Sequence, residues 1–250
     1  MPRARLQGLR CALALLGGWS LAAHADDSAW LDAEGRIQYG FYTEDVASVS
    51  GVLETLSGST DSDPLHGYYL ALANYRIAQL DAPRQRDRAR AAAEHCSDAL
   101  AAPLDAQGDA PELLALQSAC LSLLATLRPL APLSSAKASS SLKRALKLAP
   151  KNPRVLLVDA LEDYEHSGSD PAARKVIIAK LQKCVAAFEI ERVGAVRAPG
   201  WGAAEAYAYL ARSYLDSGDA VAARGALEHA LLIVPEFAFA RRMLRRITTG

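Results

Sequence analysis

The sequence predicts an all-α protein, a stack of about five antiparallel helical hairpins closed by a capping helix. Three observations carry this expectation. Alanine and leucine dominate, aromatic residues make up only 6% of the 250 positions, and no alternating strand-like segment exceeds four residues without a better helical reading. Apolar residues recur at spacings of three and four through most of the chain, the signature of one helix face turned to a core. Gly218-Asp219, Pro235 and the pairs Asp63-Pro64, Asn152-Pro153 and Asp170-Pro171 stand at the ends of such stripes, so stripes and stops alternate.

The first 25 residues read as a cleavable leader. Arg3, Arg5 and Arg10 precede the apolar run CALALLGGWSLAA, which is too short to anchor in a bilayer, and Ala23-His24-Ala25 offers the small-x-small site of signal peptidase. The expected mature product starts at Asp26 and is periplasmic or secreted. Without the leader the 28 basic residues fall to 25 against 28 acidic ones, which argues against nucleic acid or an anionic membrane as an electrostatic partner. No later run is long and apolar enough to span a bilayer.

Residues 28–57 read as a degenerate first hairpin, WLDAEGRIQYGFY followed by VASVSGVLETL. Asp63-Pro64, Asn152-Pro153 and Asp170-Pro171 each pair a capping side chain with a first-turn proline, and each opens a helical stripe. Leu113, Leu116, Cys120, Leu123 and Leu127 form a 3-4-3-4 stripe, and Ile177, Leu181, Cys184 and Phe188 form another. The clearest unit spans 201–235. Tyr207, Leu210, Ala211 and Tyr214 share a face, Gly218-Asp219 ends one helix and caps the next, Ala223, Leu227 and Ala230 line the second helix, and Pro235 stops it. The spacing Ala223, Leu227, Ala230, Pro235 recurs as Ala138, Leu142, Ala145, Pro150 and, in looser form, as Ala92, Cys96, Ala99, Leu104. The predicted units are therefore 64–104, 110–150, 153–188 and 201–235, with FAFARRMLRRI inside 236–247 as the cap. Residues 128–140 and 189–202 read as long loops that account for the uneven repeat length.

The 204–237 pattern resembles the tetratricopeptide repeat, W-x2-L-G-x2-Y followed by A-x3-F, a late alanine and a proline. Tyr207 stands for the Trp, Ala211 for the Gly and Leu227 for the Phe. The resemblance covers about 60–247, is most specific at the C-terminus, and extends to secreted bacterial proteins with expanded repeats. It implies a right-handed α-solenoid whose first helices line a concave surface that binds a peptide or protein. On the face opposite the packing stripe, residues 203–216 carry Glu205, Ala208, Arg212 and Leu215, and the preceding unit carries Arg154, Leu157, Leu161 and Tyr164. Arg154, Leu157, Tyr164, Glu205 and Arg212 are thus the candidate partner-binding residues, since Arg and Tyr are enriched at interface hot spots. The expected role is that of a non-catalytic scaffold of the cell envelope. The alternative is a small-ligand-binding accessory of an envelope transport system.

Catalysis, cofactors and metals find no support in the spacing. The histidines lie far apart, with no second His or Cys one helical turn away, so no metal is expected. Two S-x-x-K tetrads, Ser134 to Lys137 and Ser140 to Lys143, lack the companion motifs of serine acyl-transfer enzymes. The runs RQRDRAR at 84–90 and RRMLRR at 241–246 read as solvated helix faces. After leader cleavage three cysteines remain. Cys96 and Cys120 fall at comparable depth on neighbouring helices, which leaves open a bridge between them or two buried thiols, and the odd count leaves Cys184 over.

Overall fold

The computed structural model of the chain describes residues 21–59, 63–128, 132–168, 170–193 and 199–249. Among the described residues every regular element is a helix: α1 (Leu21–Thr43), α2 (Val46–Ser57), α3 (Pro64–Asp81), α4 (Arg86–Ala99), α5 (Ala101–Ala106), α6 (Pro111–Leu127), α7 (Pro132–Leu148), α8 (Pro153–His166), α9 (Pro171–Val193), α10 (Ala203–Asp216), α11 (Ala220–Ile233) and α12 (Ala238–Thr249). The expected leader, 1–25, lies outside the described residues except for 21–25, which open α1. No described helix is long and apolar enough to cross a membrane.

Short polar turns set the helix boundaries. Asp63 accepts a hydrogen bond from the Leu65 amide (2.8 Å), Asn152 from Arg154 (3.0 Å) and Val155 (3.2 Å), and Asp219 from Ala222 (2.9 Å). Each bond satisfies an amide that the first helical turn leaves without a backbone acceptor. Gly218 takes φ +83° between α10 and α11, a conformation that a side chain would strain. Gly202, at φ +112°, precedes α10, and a Cβ there would stand 2.7 Å from Phe188 and 3.0 Å from Leu157, so glycine is required by both backbone and space.

Consecutive helices pack closely as α3–α4, α6–α7, α8–α9 and α10–α11, and the first members touch one another in turn, α3 with α6, α6 with α8 and α8 with α10. This layering explains two burial patterns. Helices α4, α7, α9 and α11 each bury one stripe, such as Ala223, Ala226, Leu227 and Ala230. The first members bury more of their girth: on α6 the residues Leu113 through Leu121 are all buried, and on α8 Pro153 through Val158. A helix with neighbours on several sides has little surface left to solvate. Helix α1 lies against α2, α3 and α12, and Tyr42 meets Phe237 edge-on at 4.7 Å, so the first and last parts of the chain touch.

The two expected long loops are shorter than predicted. Helix α7 begins at Pro132, so most of 128–140 is helical. The Ser and Lys side chains that suggested a loop face water or find partners, with Ser139 donating to Glu162 (3.4 Å), and α6 reaches the same segment through Ser118, which donates to the Ala138 carbonyl (3.0 Å). Packing of Ala138, Leu142 and Ala145 overrides the weak helix propensity of serine. The extra length of this repeat comes instead from α5, whose Pro103 lies against Gly67 of α3: a Cβ on Gly67 would stand 2.5 Å from the Pro103 ring. Likewise α9 continues to Val193, and 199–202 form the irregular remainder. Residues 194–198 of that expected loop lie outside the described residues.

Cys96 of α4 and Cys120 of α6 are joined by a disulfide, with Cα atoms 5.9 Å apart. Cys184 of α9 is a free thiol, buried and donating to the Pro153 carbonyl at 3.4 Å.

Candidate binding groove

Where the inner helices converge, the interior is polar. Arg76 of α3 is 1% exposed and pairs with Glu205 of α10, itself 3% exposed. Glu205 also accepts from the Tyr42 hydroxyl (2.8 Å), and Arg76 donates to Gln79 (2.9 Å) and Gln38 (3.2 Å) while its guanidinium lies 3.9 Å from the Phe41 ring centre. A second cluster surrounds Arg154 of α8, 3% exposed, which donates to Glu112 (3.0 Å), to both oxygens of Glu191 and to the Trp201 carbonyl (3.3 Å). Between the clusters Glu34 of α1 accepts from Tyr69 (2.7 Å) and from the Gly200 amide (2.8 Å), and the Trp201 indole donates to Tyr68 (2.7 Å). These bonds link α1, α3, α6, α8, α9 and α10, and they give each buried charge a partner.

This network corrects the expected partner surface. Arg154, Leu157 and Glu205 lie in the interior rather than on an open face, because α6 and α9 pack against α8 around Arg154 and because Tyr42 of α1 and Arg76 of α3 close over Glu205. Tyr164 is half-buried and donates to Asp216 (2.8 Å), with the exposed Arg212 guanidinium 5.1 Å above its ring. Tyr164 and Arg212 therefore stay near the surface, committed to each other.

Burial holds the Glu34 carboxyl above its ordinary value of 4.5, against the lowering effect of the Tyr69 and Gly200 bonds. The sign follows from linkage. A raised acid binds its proton more tightly in the folded state, so its contribution to stability is full below 4.5 and is lost as pH rises through the folded value. The stability of the wild type relative to Glu34→Gln should accordingly fall as pH increases from about 4.5, which denaturant titrations across pH 4–7 will measure.

One concave space lies among the first helices of the pairs. A groove of about 330 Å³ lies between α6 and α8 and is bounded by α3 and α10. Its walls come from matching stripes. Ala119, Ser122, Leu123 and Thr126 stand at i, i+3, i+4 and i+7 on α6, and Val158, Leu161, Glu162 and Glu165 repeat that spacing on α8. Tyr75 and Gln79 of α3 and Tyr209 of α10 bound the space, with His166 at the end of α8. Of the face Arg154, Leu157, Leu161, Tyr164 expected to meet a partner, only Leu161 borders this groove. The volume lies within the usual range for small-molecule sites, and apolar walls with a few polar groups are their usual composition.

The polar groups of the groove are unevenly satisfied. Glu162 accepts weakly from Ser139 (3.4 Å) through one oxygen, and its other oxygen is buried without a partner among the described residues. The His166 Nδ1 lies 2.7 Å from the Glu162 carbonyl oxygen. Tyr75 is 7% exposed and its hydroxyl makes no hydrogen bond to the described residues. Burial, reinforced by Glu165, pushes the Tyr209 phenol up to about 12, and burial raises Tyr75 as well, so both are protonated donors at neutral pH. No cluster of three or more His, Cys, Asp or Glu that could hold a metal ion occurs among the described residues.

No known protein-family model matches the chain, and no curated protein matches it. Among solved structures it is similar to the HusA haemophore from Porphyromonas gingivalis, with a TM-score of 0.57 and 20% identity over 81% of this chain and 97% of that one. At this identity the likeness concerns the fold.

Proposed function

We propose that this chain is an exported, non-catalytic binding protein that holds a small amphipathic molecule in the groove between α6 and α8. The observation that carries the reading is the groove itself: two matched helix stripes leave a 330 Å³ space open between them, bounded by Tyr75 and Tyr209. The protein-scaffold expectation loses Arg154, Leu157 and Glu205, its three buried anchors. The small-ligand alternative loses nothing. Similarity to a haemophore, a protein named for carrying a small molecule, supports the same reading for this fold. The helical frame is then a tetratricopeptide-like right-handed solenoid, a reading supported by the pairing of successive helices. Export is supported by the leader pattern and by the Cys96–Cys120 bridge, which suits an oxidising compartment.

Fluorescence titration with N-phenyl-1-naphthylamine, a neutral apolar probe, tests the site. The expected result is saturable binding at one probe per chain, weakened about tenfold or more in Ser122→Trp, whose indole fills the groove from its half-buried wall. Probe binding that is absent, or that is untouched by Ser122→Trp in a variant of normal melting temperature, refutes the reading.

A further inference from the structure

The groove has one sign of charge. Glu162 and Glu165 lie three residues apart on α8 and both border it, and no Lys or Arg among the described residues lines it. The cations around it are engaged, Arg86 with the Thr126 (2.7 Å) and Leu127 (3.2 Å) carbonyls at the end of α6. Arg76 pairs with Glu205, Lys180 bridges Asp159 (2.9 Å) and Asp163 (2.6 Å), and Arg212 stacks on Tyr164.

Two further observations bear on this acidic wall. A buried carboxylate oxygen of Glu162 has no donor among the described residues, a state that costs free energy until a donor arrives. Beside it the Tyr75 side chain, 7% exposed, brings its phenol to the groove. Tyr75 and Tyr209 also border the groove, aromatic rings of the kind that attract organic cations. Opposite them Val158, Leu161 and Leu123 supply an apolar bed.

Taking the groove as the binding site, we infer that its ligand is an amphipathic organic amine, bound as the ammonium ion. The ammonium donates to Glu162 and Glu165 against the tyrosine rings, and the apolar body lies along Leu123, Val158 and Leu161. Charge-assisted hydrogen bonds of this kind are about twice as strong as neutral ones. Ligands that carry carboxylates or sulfonates meet like charge and are disfavoured, porphyrin dicarboxylates among them.

Competitive titration separates this inference from the groove reading. The full-length mature chain is titrated with dansylcadaverine as the cation, 1-anilinonaphthalene-8-sulfonate as the anion and hemin as the dianionic porphyrin, each displacing N-phenyl-1-naphthylamine. Dansylcadaverine is expected to bind about tenfold or more tightly than either anion. In Glu162→Gln/Glu165→Gln, checked for an unchanged melting temperature, its affinity relative to that of the neutral probe should fall by a similar factor. Equal or tighter binding of an anion, or a double variant that binds dansylcadaverine as the wild type does, overturns the inference while the groove reading stands. If the neutral probe fails to bind the wild type, the groove reading falls and the inference falls with it.

Discussion

Replacing Glu205 by Ala should cost about 3–5 kcal/mol of folding stability, the largest effect expected of any single substitution here. The Coulombic attraction of the pair is partly spent on taking two ions out of water, so the intact pair adds little by itself. Removing one partner is different, because Arg76, 1% exposed, is left charged in the interior with only Gln79 and Gln38 as acceptors. The Tyr42 hydroxyl loses its acceptor in the same step. For a chain of this size the loss corresponds to a fall of roughly 6–20 °C in melting temperature. A double-mutant cycle with Arg76→Met distinguishes this mechanism from simple loss of packing. The double variant should be more stable than Glu205→Ala alone, since the stranded charge is gone. A loss below about 1 kcal/mol in Glu205→Ala, or a double variant as unstable as the sum of the singles, would show that the pair is not a closed interior contact.

The second large effect concerns the bridge between α4 and α6. Opening Cys96–Cys120, by reductant or by Cys96→Ala/Cys120→Ala, should lower stability by about 3 kcal/mol, as expected for a cross-link that closes a loop of this length. The bond joins the second helix of one repeat to the first helix of the next, so it ties two units rather than the two arms of one. Denaturant unfolding with and without reductant measures the loss, and equal midpoints would rule out a bridge in the purified protein. Alkylation supplies a control at the third cysteine. Cys184 is buried and its thiol is held above the ordinary range by burial, so it should remain unlabelled in the native state and react only on unfolding.

The helices were legible because their signals are local. A capping Asp or Asn before a proline, a stripe at three and four, and a glycine stop all act within one or two turns, so spacing along the chain carries them. The serine-rich start of α7 escaped the same reading because its helix is held by contacts with α6, and local propensity there points to a loop. The groove was half visible. Leu161 stood on the face expected to bind, but Leu123 was taken for packing, and nothing in the spacing of α6 or α8 shows that their second stripes face each other across an open space.

The buried ion pairs were hidden for a plainer reason. Arg76 and Glu205 are 129 residues apart and Glu34 and Gly200 are 166 apart, and a charged residue on an amphipathic helix reads as solvated until another helix is known to cover it. By itself, therefore, the amino-acid sequence determined the helical class, the helix boundaries set by caps and prolines, the stripes of Leu, Ala and Cys that pack within each pair, and the absence of any recognised catalytic motif. The tertiary structure alone decided which polar residues face inward and which face stays open. Helical periodicity is a property of neighbours three and four residues apart, whereas burial of a charge depends on which distant helix returns to cover it.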